Sequence, residues 1–159
     1  MSDYSLRPVR SGDAAAIAGH RARMFQEMGE LADLDAPRLE AATREQLEPL
    51  IDSGEYFGWL IETGGEVVAG AGVLLHRLLP RNRDLGLRQE AYVLNVYTAP
   101  AHRRRGLSKR LMAELIAWCR EHDITRVTLH ASTTGRPLYE SLGFTPTNEM
   151  RLVLTPLQL

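Results

Sequence analysis

Residues 93–111 read VLNVYTAPAHRRRGLSKRL, and this stretch decides the fold. It opens as an apolar run, Val93 to Tyr97, breaks at Pro100, and passes through three consecutive arginines to Gly106. From there Leu107, Leu111, Leu115 and Trp118 recur at helical spacing, widened by Met112 and Ile116. The pattern is a buried strand, a short basic loop, and a helix entered through a glycine. The first amides of a helix lack internal partners and its dipole adds partial positive charge there, so an anion can be seated on them. Glycine at that point lets the backbone approach such an anion with no Cβ in the way. Three roles fit the five Arg and Lys side chains of residues 103–110: a solvated surface patch, a nucleic-acid contact, or a seat for a phosphorylated ligand. The strand-loop-glycine-helix context favours the last. Nucleic-acid binding needs a wider basic face or exposed aromatics, and basic residues thin out after Arg110.

The flanking sequence extends the pattern in both directions. Tyr4 to Val9 alternates as a short edge strand, and Ser11-Gly12-Asp13 offers an N-cap to an alanine-rich helix from Ala14 to about Met28. Pro37 opens a second helix reaching about Ile51. Tyr56–Glu62 and Val67–Leu75 flank Thr63-Gly64-Gly65-Glu66 as a hairpin, with Gly70 and Gly72 marking a bulge or a crowded neighbour. Residues His76 to Arg88 read as a polar loop able to lie over a site, and Glu90–Tyr97 as a central strand. The helix Leu107–Glu121 is followed by a strand Arg126–His130, a short helix Arg136–Leu142 with Gly143 at its C-terminal cap, and a closing strand Met150–Leu154. The expected fold is α/β (α+β), a mixed, mostly antiparallel sheet flanked by helices, in one domain over residues 1–159 without repeats or linkers.

Composition narrows the function classes. The chain of 159 residues is 44% hydrophobic and 25% charged, with a net charge of −1, which calls for neither nucleic acid nor membrane. Cys119 is the single cysteine, so no internal disulfide forms and a reducing compartment is expected. Without an apolar leader or an 18-residue apolar run, the expected location is cytoplasmic. No His/Cys/Asp cluster has metal-ligand spacing, so no metal is expected.

Arg103-Arg104-Arg105-Gly106-Leu107-Ser108 resembles the acyl-CoA loop of the GNAT superfamily of N-acetyltransferases, Arg/Gln-x-x-Gly-x-Gly/Ala, with Ser108 where the family prefers Gly or Ala. Independently, Ser132 to Phe144 resembles that family's Asn-x-x-Ala-x-x-Leu-Tyr-x-x-x-Gly-Phe region. Ser132 replaces the Asn and Gly135 the Ala, while Leu138-Tyr139 and Gly143-Phe144 keep their spacing.

The resemblance implies an N-acetyltransferase that transfers acetyl from acetyl-CoA to a primary amine by direct attack in a ternary complex. It implies Tyr139 as the acid that protonates the departing thiolate. It also implies that the backbone around Val96 and Tyr97 holds the pantetheine arm and polarises the carbonyl, and that Arg103, Arg104, Arg105, Gly106, Leu107 and Ser108, with Ser132, bind the donor. Glu90 is the candidate general base, and Asn95 and His130 are candidates to line the cleft. A non-catalytic domain that binds or senses acyl-CoA is the alternative, and a homodimer is compatible with both. Cys119, beside Trp118, is a packing residue rather than a nucleophile.

One charge pattern bears on the acceptor. Between Met24 and Leu60 the acids Glu27, Glu30, Asp33, Asp35, Glu40, Glu45, Glu48, Asp52 and Glu55 outnumber the bases Arg38 and Arg44. In the resembled family this region borders the acceptor cleft, so a cationic amine is one expectation and an ordinary solvated helix face the other.

Overall fold

The computed structural model describes residues 3–86 and 88–154. Five strands form one sheet in the order β1 (Ser5–Pro8), β2 (Tyr56–Thr63), β3 (Glu66–Leu78), β4 (Arg88–Thr98) and β5 (Arg126–Leu129). All neighbours are antiparallel except the parallel pair β4–β5. The helices are α1 (Ala14–Glu27), α2 (Ala36–Ser53), α3 (Leu107–Glu121) and α4 (Arg136–Ser141).

Strand alternation sorts the sheet into two apolar faces. On β2, Tyr56 and Leu60 join Ala14, Ile17 and Leu47 beneath α1 and α2. Phe57, Trp59 and Ile61 point the other way, into a larger cluster with Leu107, Leu111, Met112, Leu115 and Cys119 of α3 and Tyr139 of α4. The predicted stripe of α3 is thus its buried face, and Leu111, Met112 and Leu115 are each 0% exposed. Truncating any of them to alanine removes about 2–5 kcal/mol of stability.

The β2–β3 hairpin turns on Gly64 and Gly65, with φ of 57° and 81°, the left-handed pair that a tight two-residue turn requires. Crowding explains the other hairpin glycines. A Cβ on Gly72 would lie 1.9 Å from the Tyr56 hydroxyl, and one on Gly58 would lie 2.1 Å from the Ala71 carbonyl oxygen.

Three sequence expectations need correction. His76–Leu78 extend β3 and pair with Arg88–Glu90, so the polar loop shrinks to a connection braced by Arg88, which binds Asp84 at 2.6 Å and the Leu79 carbonyl. Asp13 occupies the N-cap of α1 but makes no capping bond. Its carboxylate instead takes two bonds from Arg7 and one from the Arg10 amide, tying β1 to the helix entrance. Residues 150–154 form no strand: Met150, Leu152, Val153 and Leu154 are 68–95% exposed. Apolar composition suits a strand only where a neighbouring ladder receives it, and among the described residues none pairs with this segment.

Candidate active site

The central strand is irregular where the site forms. Gly70 pairs with Tyr97 and Gly72 with Leu94, so Asn95 and Val96 together oppose the single residue Ala71. This is a β-bulge, and Asn95 adopts φ 56°, a conformation asparagine tolerates better than most residues. The bulge turns Asn95 toward α1, where its amide donates to Tyr56 Oη at 3.1 Å and its carbonyl accepts from Arg21 at 2.7 Å. Burial pushes the Tyr56 phenol up to about 12, so it stays protonated in this network. A polar residue inside VLNVY is the one sequence signal that could have located the bulge.

The bulge ends the β4–β5 ladder. Pairing runs only from Glu90↔Arg126 to Val93↔Leu129, and Leu94–Thr98 have no β5 partner among the described residues. Because β5 stops at Leu129, the β4 edge beyond Val93, including the backbone of Val96 and Tyr97, has no parallel neighbour among the described residues, and this unpaired split is the wedge of the site.

Beyond the wedge the chain makes a 3-10 turn at Pro100–His102 and enters the basic loop. Arg104 (φ 62°) and Gly106 (φ 74°) are both left-handed. The first backbone bond of α3 runs from the Arg110 amide to the Gly106 carbonyl, and among the described residues the N–H groups of Arg104 to Lys109 have no acceptor. A Cβ on Gly106 would meet nothing within 4 Å. The glycine therefore serves the backbone conformation and keeps the approach open.

Side chains lock this loop to the sheet. Ser108 Oγ lies 2.9 Å from Thr98 Oγ1, a hydrogen bond that ties the start of α3 to the end of β4. Arg103 donates to the Thr98 carbonyl at 2.9 Å and to Glu27 at 2.5 Å, and Tyr97 Oη donates to the other Glu27 oxygen at 3.1 Å. Burial, and then this bond, push the Tyr97 phenol above its usual range. The sequence offered no sign of the Glu27 link, because its partners lie 70 and 76 residues away. Arg104 and Arg105 remain exposed.

Tyr139 enters from α4 on the α3 side and is 9% exposed, in the same cluster as Val96 and Leu107. Burial alone pushes its phenol above the usual range, so it carries its proton at neutral pH. Ser132 Oγ accepts from the Gly135 amide at 3.0 Å and shapes the entry to α4. A Cβ on Gly135 would meet the Tyr139 ring at 3.1 Å.

Glu90 stands on the paired half of β4, before the wedge, and accepts from Arg126 at 2.5 Å. Tyr92, next along that face, stacks on His76 and lies 3.1 Å from His130 Nδ1. His130 is further joined by Arg151 at 2.7 Å. Cys119 is buried, and burial pushes its thiol up, which suits packing and not nucleophilic attack. No three His, Cys, Asp or Glu residues converge as a metal site among the described residues, and no helix there is long and apolar enough to cross a membrane.

The acids of residues 27–55 do not converge on the wedge as one rim. Glu27 is paired with Arg103, Glu48 with Arg44, and Asp52 accepts from Ser11. Of the others, Glu40 and Glu45 ride on α2, which packs on α1 and β2, and Glu30, Asp33, Asp35 and Glu55 lie in the segments flanking it.

A mixed sheet split at a bulge, with an amide-lined loop at the mouth of the following helix, is the architecture of an acetyltransferase fold, and the comparisons agree. The model of the acetyltransferase (GNAT) family matches residues 23–144. A GCN5-related N-acetyltransferase from Ralstonia eutropha JMP134 is 34% identical with a TM-score of 0.86, over 95% of this chain and 98% of that one. A predicted acetyltransferase from Clostridium acetobutylicum, solved with acetyl-CoA, superposes with a TM-score of 0.83 at 21% identity, over 95% and 96% of the two chains. No protein of curated function matches the sequence. The chain belongs to the GNAT acetyltransferase family.

Proposed function

We propose that the protein is an N-acetyltransferase that moves an acetyl group from acetyl-CoA to a primary amine by direct attack in a ternary complex. The observation that carries this is the run of unengaged amides from Arg104 to Lys109 around an open Gly106, next to the wedge. Those amides suit the diphosphate, with Arg104 and Arg105 supplying charge at the rim. The β4 backbone at Val96 and Tyr97 suits the pantetheine arm and the thioester oxygen.

An attacking amine must arrive neutral, and its solution pKa is about 10. Glu90 is engaged by Arg126 and stands before the wedge, so this geometry favours loss of the amine proton to water over direct transfer to Glu90. Tyr139, protonated and in the same cluster as Val96, would hand its proton to the departing thiolate. Holding both substrates in one wedge supplies much of the rate.

The test is calorimetry with acetyl-CoA, followed by thiol release with a panel of amines. Binding together with amine-dependent thiol release supports the proposal. Binding without release under every amine assigns the non-catalytic, acyl-CoA-sensing role instead.

Glu27 gives a second check on the donor seat. Its carboxylate occupies Arg103, which a diphosphate would otherwise engage. Both partners are about 40% exposed, so the pair contributes little stability. Glu27→Gln should therefore lower the KM for acetyl-CoA by about two- to five-fold, the equivalent of one exposed ion pair. A KM that rises would show that Glu27 positions Arg103 for the donor rather than competing for it.

A further inference from the structure

Arg21 is a cation without a counter-charge, placed beside the bulge. It lies on α1, partly buried, with one guanidinium nitrogen spent on Asn95 Oδ1 at 2.7 Å and its plane 4.8 Å from the Phe25 ring centre. Arg7, Arg44, Arg88, Arg103, Arg126 and Arg136 each pair with a carboxylate. Among the described residues none lies within ion-pair distance of Arg21. Burial weakens its hold on its proton, and only the phenols of Tyr56 and Tyr92 offset that electrostatically. A desolvated cation is costly unless paired, and a guanidinium has five donors, most of which Asn95 leaves unused.

The surroundings reinforce this. Tyr92 is flanked by His76 and bonded to His130, which Arg151 also approaches. Of the acids nearby, Glu90 is paired with Arg126, and Glu149 lies 3.8 Å from His130. With Arg21 this patch lies on the α1 face of β4 and carries spare positive charge, opposite in sign to the cationic-acceptor expectation.

We propose that Arg21 receives an oxyanion of the acceptor, so that the substrate is an amine that also bears a carboxylate or phosphate group. The proposal rests on the acetyltransferase reading and names the substrate class of that same site. An amine of this kind would span from the split at Val96 to the free edge of the guanidinium, which would bind its oxyanion with two parallel hydrogen bonds.

The experiment compares matched acceptors by thiol release: amino acids against their α-amides, and aminoalkyl phosphates against the corresponding amino alcohols. The wild-type protein should prefer the anionic member in kcat/KM by about thirty-fold, the size of one charge-assisted bond. Whichever pair shows the preference identifies carboxylate or phosphate as the group. Arg21→Gln, which can still donate to Asn95, should abolish the preference while the KM for acetyl-CoA stays within about two-fold. Equal use of both members by the wild type, or a preference that survives in Arg21→Gln, overturns the proposal. Thiol release from neutral amines alone overturns it and leaves the transferase reading standing. Acetyl-CoA binding with no release from any amine overturns both.

Discussion

Tyr139→Phe should lower kcat by about a hundred-fold, the usual contribution of one positioned general acid, and leave the Kd for acetyl-CoA unchanged. The substitution keeps the ring that packs against Phe144 and beneath Gly135, so the melting temperature should hold. The pH profile separates a chemical role from a structural one. Because burial raises the phenol's pKa, the acid form persists through neutral and mildly alkaline solution. If Tyr139 supplies the proton, the wild-type kcat falls only as pH passes above about 10, where an ordinary tyrosine would already be ionising. The phenylalanine variant should lack that alkaline fall. An unchanged kcat in the variant would remove Tyr139 from the reaction.

Gly58→Ala should be the most damaging single substitution in the sheet. Its Cβ would sit 2.1 Å from the Ala71 carbonyl oxygen and 2.9 Å from Gly72 Cα, both main-chain atoms of the neighbouring strand. No rotamer change relieves such a clash, so β2 and β3 must move apart between Phe57 and Trp59, both of which pack in the larger core. A loss of about 3 kcal/mol or more is expected, lowering the melting temperature by about 10 °C in a chain of this size. Gly106→Ala is the contrast. Open space surrounds that position, and only its φ of 74° resists the change, so about 1 kcal/mol is at stake. Similar melting losses for the two would show that the Gly58 contact relaxes more easily than its geometry implies.

Much of this architecture could be read from residue order, because it rests on local signals. The α3 stripe, the Gly64-Gly65 turn and the break at Pro100 each depend on neighbours a few residues apart, and each element formed where periodicity or turn chemistry put it. The basic loop leading into α3 was legible for the same reason: glycine, basic residues and helix start lie within ten positions. What escaped was pairing across the chain. Asp13 reads as a cap until Arg7 and Glu62 are folded beside it, and nothing in residue order ties Ser108 to Thr98. Residues 150–154 carry a strand's composition, but composition cannot say whether a neighbouring edge is free to receive them.

The extra residue in β4 has a consequence for laboratory evolution. Deleting one position among residues 94–96 would restore even counting against β3, let the parallel pair zip further, and return several idle backbone groups to the ladder. A library screened only for survival on heating should therefore enrich such deletions, and the survivors should be tougher and inert. The flaw in the weave is where the proposed acetyl transfer would take place.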